Sequence, residues 1–228
     1  MRSRSLKMIG ALAAVALASS AVAAAQASAI EFVYKVNGKA LEGEKELVSK
    51  ASTNQVLKTT VLGVASEITC TTVETPGAKI KGGKPGTSTE TVHYSGCTVQ
   101  KPSGCKVKEG KITTNPLVDE IVEGVGASAG KAEVLFHPES GETFAEPKLE
   151  GGLQCPSLAV KGSILAEAVP QKEEAVAGSL KFEAAEKGKY KNSKGEEKSA
   201  GLKVGSSAAT TTGTVQTELS TKEKFGIF

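Results

Sequence analysis

Apolar residues alternate with polar residues along most of the chain, and this pattern constrains the fold more than any other feature. Glycine, proline or asparagine interrupts the alternation every few residues. Because successive side chains of a strand point to opposite faces, the pattern indicates strands that bury one face. We therefore predict an all-β fold, either an antiparallel β-sandwich or a partly open β-barrel, with short strands, Gly-rich turns and little helix.

Turn residues divide the predicted strands. Phe32, Tyr34 and Val36 share one face of a first strand that ends at the turn dipeptide Asn37-Gly38. A tight turn at residues 101–104 predicts a hairpin, and the charged residues 187–198 predict a solvated hairpin loop. We expect further strands at residues 56–64, 67–73, 92–99, 105–107, 112–114, 134–137, 144–149, 158–165, 180–184, 201–204 and 213–219. Residues 117–123 after Asn115-Pro116, and residues 171–177, have features of short helices, and we assign both segments to strand or loop.

The first 29 residues have the order of a secretory signal. Arg2, Arg4 and Lys7 precede an alanine-rich apolar run, and Ala27-Ser28-Ala29 supplies the small residues that signal peptidase needs. We predict cleavage between Ala29 and Ile30, and a secreted, extracellular protein. The predicted organisation is a signal peptide at 1–29, a disulfide-bearing β domain at 30–170, and a C-terminal β segment at 171–228 packed on the same sheets.

Export changes the meaning of the cysteines, because disulfides persist outside the cytosol. Cys70, Cys97, Cys105 and Cys155 allow three pairings. A Cys97–Cys105 bridge would be strained if both lie in the hairpin across 101–104, since they would point to opposite faces. The strands at 67–73 and 92–99 are successive and are expected to lie close together, so we favour Cys70–Cys97 with Cys105–Cys155.

Catalytic candidates are few. Gly126-Ala127-Ser128-Ala129-Gly130 matches the nucleophile pattern G-x-S-x-G, but a strand rather than a helix is predicted to follow it. His137 lies nine residues downstream, and 24 glutamates could supply a carboxylate pair. His93 and His137 are distant in sequence, so we predict no metal site, no cofactor and no catalytic constellation.

The mature chain would carry 25 lysines against 25 acids and no arginine, which disfavours nucleic-acid binding. After cleavage we expect no membrane contact. A cell-wall or extracellular component is the expected class of partner, although the sequence identifies no particular one.

The layout of residues 30–165 resembles a much-duplicated group of secreted actinobacterial proteins of unknown function, from high-GC soil bacteria. The segments that carry the resemblance are Phe32-Val33-Tyr34-Lys35-Val36-Asn37-Gly38, Leu41-Glu42, Glu67-Ile68-Thr69-Cys70, Ile80-Lys81-Gly82-Gly83-Lys84-Pro85-Gly86, Gly96-Cys97-Thr98-Val99, Gly104-Cys105-Lys106-Val107, Ile112-Thr113-Thr114, Pro116-Leu117, Leu135-Phe136 and Gly152-Leu153-Gln154-Cys155. The resemblance implies that the four cysteines and the Gly-rich turns form a common scaffold, and it implies no activity.

The leading hypothesis is a non-enzymatic binding or structural role at or near the cell surface. One alternative is a secreted hydrolase that uses Ser128 with His137, or a glutamate pair. The other is a secreted inhibitor or effector, which would need an exposed apolar loop on a disulfide-fixed scaffold. The sequence shows no such loop.

Overall fold

The computed structural model describes residues 32–152, 155, 157–185 and 187–228, so the predicted cleavage site at Ala29 and Ile30 lies outside the described residues. Two 3-10 turns, Lys108–Gly110 and Gly126–Ser128, are the helical segments of the described chain. Its strands, numbered in chain order, are β1 Tyr34–Val36, β2 Lys39–Ala40, β3 Glu44–Ala51, β4 Gln55–Val61, β5 Val64–Cys70, β6 Thr72–Glu74, β7 Lys79–Lys81, β8 Thr87–Glu90, β9 His93–Ser95, β10 Thr98–Lys101, β11 Lys106–Val107, β12 Ile112–Thr113, β13 Leu117–Gly124, β14 Ala132–Pro138, β15 Thr143–Ala145, β16 Leu149–Glu150, β17 Val160–Gly162, β18 Ile164–Val169, β19 Ala177–Phe182, β20 Gly188–Lys191, β21 Glu197–Ala200, β22 Leu202–Val204, β23 Ser207–Leu219 and β24 Phe225–Ile227.

Eight antiparallel strands close into a barrel in the order β3-β7-β8-β13-β14-β18-β19-β23. The last strand, β23, pairs with β3 and completes the circle. The predicted all-β antiparallel fold is confirmed, and the barrel is closed rather than partly open. Closure depends on β3, a strand that the sequence analysis did not predict.

Alternate residues of the barrel strands fill the interior. On β13, Leu117, Asp119 and Ile121 are all buried on the inner face. The opposite face is covered in part by the β20–β21 hairpin, where Val122 and Leu135 pack with Ala200. This hairpin is the one predicted for the charged residues 187–198.

The thirteen-residue strand β23 belongs to two sheets. Its second half pairs with β19 and β3 in the barrel, and its first half pairs with β4 and β22. The second sheet has the order β10-β5-β4-β23-β22-β17-β15. Gly213 stands at the change of partners with φ 147°, a backbone conformation that favours glycine.

Different elements cover the two ends of the barrel. At one end, the small sheet β2-β1-β24 places Tyr34, Phe225 and Ile227 against Leu47 and Ile80 around a void of about 50 Å³. At the other end, the second sheet packs against the barrel. Residues 171–228 contribute β19 and β23 to the barrel and β24 to the first cover.

The strands predicted at 67–73, 92–99, 144–149 and 158–165 are each divided into two strands that pair with different partners. Two predicted connections were also wrong. The strand predicted at 56–64 is interrupted at Leu62-Gly63, where φ values of 50° and 82° make a two-residue turn between β4 and β5. The hairpin predicted across 101–104 is not formed, because β10 pairs with β5 and β11 pairs with β16. The sequence analysis took a turn between successive apolar segments to mean that those segments pair with each other.

Candidate functional site

The four cysteines form two disulfides, Cys70–Cys97 and Cys105–Cys155, which is the pairing that we favoured. Cys97 immediately precedes β10, whose Thr98 pairs with Thr69 of β5, and this pairing brings Cys97 beside Cys70. The expected proximity of these strands was therefore correct. The argument against Cys97–Cys105, however, relied on a hairpin that does not form. Two disulfides indicate that the chain folds in an oxidising environment.

The residues considered for hydrolysis are not brought together. Ser128 lies in the loop before β14, and His137 lies near the far end of that strand. His137 lies five positions along the strand from Ala132, a distance of roughly 17 Å at about 3.3 Å per position. Ser128 instead lies beside Gly124 and Glu133, and His93 is exposed on β9.

No metal centre is visible in the described residues, which contain no group of three or more His, Cys, Asp or Glu side chains able to hold an ion. The same residues include no helix that is long and apolar enough to cross a membrane.

A cavity of about 90 Å³ lies where the second sheet meets the barrel. The barrel contributes Leu117, Phe136 and Val215 to its wall, and the second sheet contributes Leu57 and Ile68. The remaining lining residues are Ser49, Gln55, Cys70, Val73, Thr75, Glu90, Val92, Tyr94, Ile112, Phe144, Ala145, Pro147, Val160, Ile164, Leu180, Phe182, Leu202 and Thr211. Since most of these side chains are apolar, the cavity favours an apolar occupant.

Glu90 is the one charged residue among the described residues of this wall. It ends β8, where it pairs with Leu117 of β13, and Ser88 on the same strand pairs with Asp119. Ser88 Oγ donates a hydrogen bond of 2.8 Å to Asp119 Oδ2. Glu90 and Asp119 are therefore neighbours on the inner face of two adjacent barrel strands.

Burial changes the chemistry of this carboxyl pair. Asp119 is 1% exposed, and its Oδ1 has no hydrogen-bond partner among the described residues. Burial raises the pKa of Glu90 to about 7. Burial also raises the pKa of Asp119 well above its usual range, and the negative charge of Glu90 raises it further, against the hydrogen bond from Ser88. Both carboxyls consequently retain protons at pH values where exposed carboxyls are ionised.

Two tyrosines adjoin the pair. Burial raises the pKa of Tyr34 and of Tyr94, and the charge of Glu90 adds to both shifts. The charge of Asp119 raises the pKa of Tyr34 further, because the tyrosine of the β1 cover lies beside the carboxyl pair. The two hydroxyl groups therefore stay protonated and can act as hydrogen-bond donors.

The sequence analysis did not find this pair, although the sequence contains a signal for it. Asp119 stands between Leu117 and Ile121, and Ser88 and Glu90 precede Val92, all at the two-residue spacing of one strand face. A polar residue on an otherwise apolar face predicts a buried polar group. Which strands would be adjacent was not evident from this spacing.

The tip of the β4–β5 hairpin is apolar and exposed. Leu62 is 98% exposed and has φ 50°, and Val64 beside it is also exposed. The hairpin ends at Cys70, which the bridge to Cys97 fixes. The exposed apolar loop that the sequence did not show is therefore present on a disulfide-fixed scaffold.

Comparisons of the chain with protein-family models, with curated protein sequences and with solved structures give no match. The geometry of the cavity and of the hairpin tip must therefore carry the functional argument.

Proposed function

We propose that this chain is a secreted, non-enzymatic binding protein that holds a small, mainly apolar molecule in the cavity between the barrel and the second sheet. The cavity is the observation that carries the proposal. An eight-stranded barrel encloses just enough space for its own side chains or for one small ligand. The signal-like residues 1–29, the two disulfides and the resemblance to secreted actinobacterial proteins support export.

Energetics also favour a ligand. An unfilled apolar cavity costs about 24 cal/mol per Å³, so 90 Å³ corresponds to about 2 kcal/mol of lost stability. An engineered cavity of about 150 Å³ accommodates benzene, and the present cavity is of the same order. A ligand of benzene size or smaller would recover part of this loss, which distinguishes a binding role from a purely structural one.

A cavity-filling substitution tests the proposal. Ala145 is buried in the cavity wall, so Ala145→Leu should fill much of the space, while Ala65→Leu makes the same change at an exposed position. We expect benzene to raise the Tm of the native protein and of Ala65→Leu, but not that of Ala145→Leu. Equal shifts in both variants, or no shift in the native protein, would contradict ligand binding in the cavity.

The hairpin tip favours a second candidate, an inhibitor or effector that contacts a partner through Leu62 and Val64. The two-residue turn is too tight to present an extended segment to a protease, so an effector fits the tip better than a substrate-like inhibitor. The test compares retention of the native protein and of Leu62→Asn/Val64→Thr on cell-wall and secreted fractions of the producer. Retention that the double variant leaves unchanged would contradict this candidate.

A further inference from the structure

The wall of the cavity restricts the class of ligand that it can accept. We propose that the cavity binds a small apolar amine, whose ammonium group lies against Glu90 and whose hydrocarbon body fills the space between Phe136 and Phe144. This inference rests on the proposed function, because it names the ligand class of the same cavity.

The position of the carboxyls supports an ammonium group at the barrel side of the cavity. Glu90 lines the cavity, and Asp119 lies diagonally across from it on β13. Diagonal neighbours on one face of an antiparallel pair have Cα atoms about 7–8 Å apart, within reach of one shared cation. An ammonium group at Glu90 would therefore also interact with Asp119.

Two buried oxygen atoms, one in the carboxyl pair and one in the cavity wall, lack hydrogen-bond partners among the described residues. Asp119 Oδ1 is one, and Thr75 Oγ1 is the other. Thr75 is 7% exposed and belongs to the cavity wall. An ammonium group carries three N–H donors and no acceptor, so it matches a site that offers unsatisfied oxygen acceptors.

Charge points to the same ligand. The groups that face the carboxyl pair are Tyr34 from β1, Tyr94 from β9 and Ser88 from β8, and none of them is a cation. Among the described lysines, none forms an ion pair with Glu90 or Asp119. A buried carboxylate without a counterion is costly. A cationic ligand relieves this cost, whereas an anionic ligand increases it.

Proton linkage follows from this arrangement. The ligand binds the ionised carboxylate, and burial of the pair favours its protonated form. Below pH 7, binding must therefore release a proton, and the affinity for the amine should rise by up to about tenfold per pH unit. A neutral ligand of the same shape should show no such dependence.

Cyclopentylamine and cyclopentanol provide a matched pair of probes, since they have the same ring and differ in charge. Calorimetric titration from pH 5 to pH 8 would compare the native protein with Glu90→Gln and with the control Glu74→Gln, whose carboxyl is exposed on β6. We expect the native protein and Glu74→Gln to bind the amine at least tenfold more tightly than the alcohol at pH 8. Glu90→Gln should lose most of the amine preference and most of its pH dependence, because Asp119 alone remains.

The outcomes separate this inference from the proposed function. Equal binding of both probes by the native protein, or an amine preference that Glu90→Gln leaves undiminished, overturns the amine proposal alone. Failure of cyclopentanol, cyclopentylamine and benzene together overturns the cavity-binding function itself. If Glu90→Gln does not fold, as judged by its circular dichroism, Asp119→Asn replaces it and should weaken the amine preference and its pH dependence.

Discussion

At the scale of single residues, Asp119 is held in a position that suits its protonated form. It is buried in the barrel, and Ser88 occupies one of its oxygens. The folded state therefore holds a proton that the unfolded chain gives up above its ordinary aspartate pKa. Between the ordinary pKa of aspartate and the raised pKa of Asp119, the unfolded state binds fewer protons than the folded state. The free energy of unfolding therefore falls as pH rises through this range.

We predict that replacing Asp119 removes part of this pH dependence. For the native protein, the free energy of unfolding should fall from pH 5 to pH 8, by at most about 1.4 kcal/mol per pH unit for each group. Asp119→Asn should show a smaller fall, because only Glu90 and Glu133 would then remain among the carboxyls whose pKa burial raises. Urea denaturation at both pH values measures the difference.

Glu183→Gln is the control for this experiment. Glu183 is exposed, and its hydrogen bond with Lys181 lowers the pKa, so it is ionised throughout the interval from pH 5 to pH 8. Its replacement should leave the slope unchanged. An Asp119→Asn variant with the native slope would mean that Asp119 is ionised in the folded protein.

At the scale of elements, the two-residue alternation predicted that most of these segments are strands. It failed where a segment consists of residues that rarely form strands. Glu44–Ala51 consists mainly of Glu, Lys, Ser and Ala, which are weak strand formers, so β3 was not predicted. Leu47 and Ser49 nevertheless face the interior, because pairing with β7 and β23 on both sides overrides propensity. Strand order could not be predicted, because periodicity contains no information about which strands are neighbours.

The change of partners in β23 depends on Gly213. A Cβ at this position would meet the Gln55 side chain at 2.3 Å, and its φ of 147° is rarely adopted by other residues. Gln55 Nε2 is itself held by hydrogen bonds to the carbonyl oxygens of Thr53 and Thr214. The side chain that would have to move is therefore fixed in place.

We predict that Gly213→Ala lowers the free energy of unfolding by about 1–3 kcal/mol, as expected for a residue forced into a rarely populated conformation. Gly178→Ala is the matched control on β19, where a Cβ would meet ordinary contacts of 3.4 Å or more. Urea denaturation of both variants measures the difference. Equal loss in the two variants would show that Gly213 has no special role in joining the two sheets.

At the scale of the whole molecule, the cavity results from packing the second sheet against one end of the barrel. Its lining comes from segments as far apart as Ser49 and Val215, so no local pattern in the sequence could predict it. The four cysteines were different, because their number and the predicted export limited the pairing to three possibilities. The formation of disulfides was therefore predictable, although the choice of pairing relied in part on a hairpin that does not form. The cavity required the three-dimensional structure.

Both disulfides join parts of the chain that contribute to the region around the cavity. Cys70 lies in the cavity wall, and its bridge spans a sequence separation of 27 residues. The Cys105–Cys155 bridge spans 50 residues and lies beside the β11–β16 pair. In the chain-entropy model, loops of these lengths restrict the unfolded chain by about 3.5–4 kcal/mol each.

We predict that Cys70→Ala/Cys97→Ala and Cys105→Ala/Cys155→Ala each lower the free energy of unfolding by about 3–4 kcal/mol. The second loss should be slightly the larger, because the loop is longer. The native protein treated with a thiol reductant should have the same free energy of unfolding as the variant in which all four cysteines are replaced by alanine. This comparison controls for the effect of the alanine side chains. Urea denaturation measures the free energy of unfolding of the native protein, the reduced protein and the three variants. A loss below about 1 kcal/mol in either double variant would mean that pairing such as Thr98 with Thr69 already restricts the unfolded chain, or that the bridge strains the folded state.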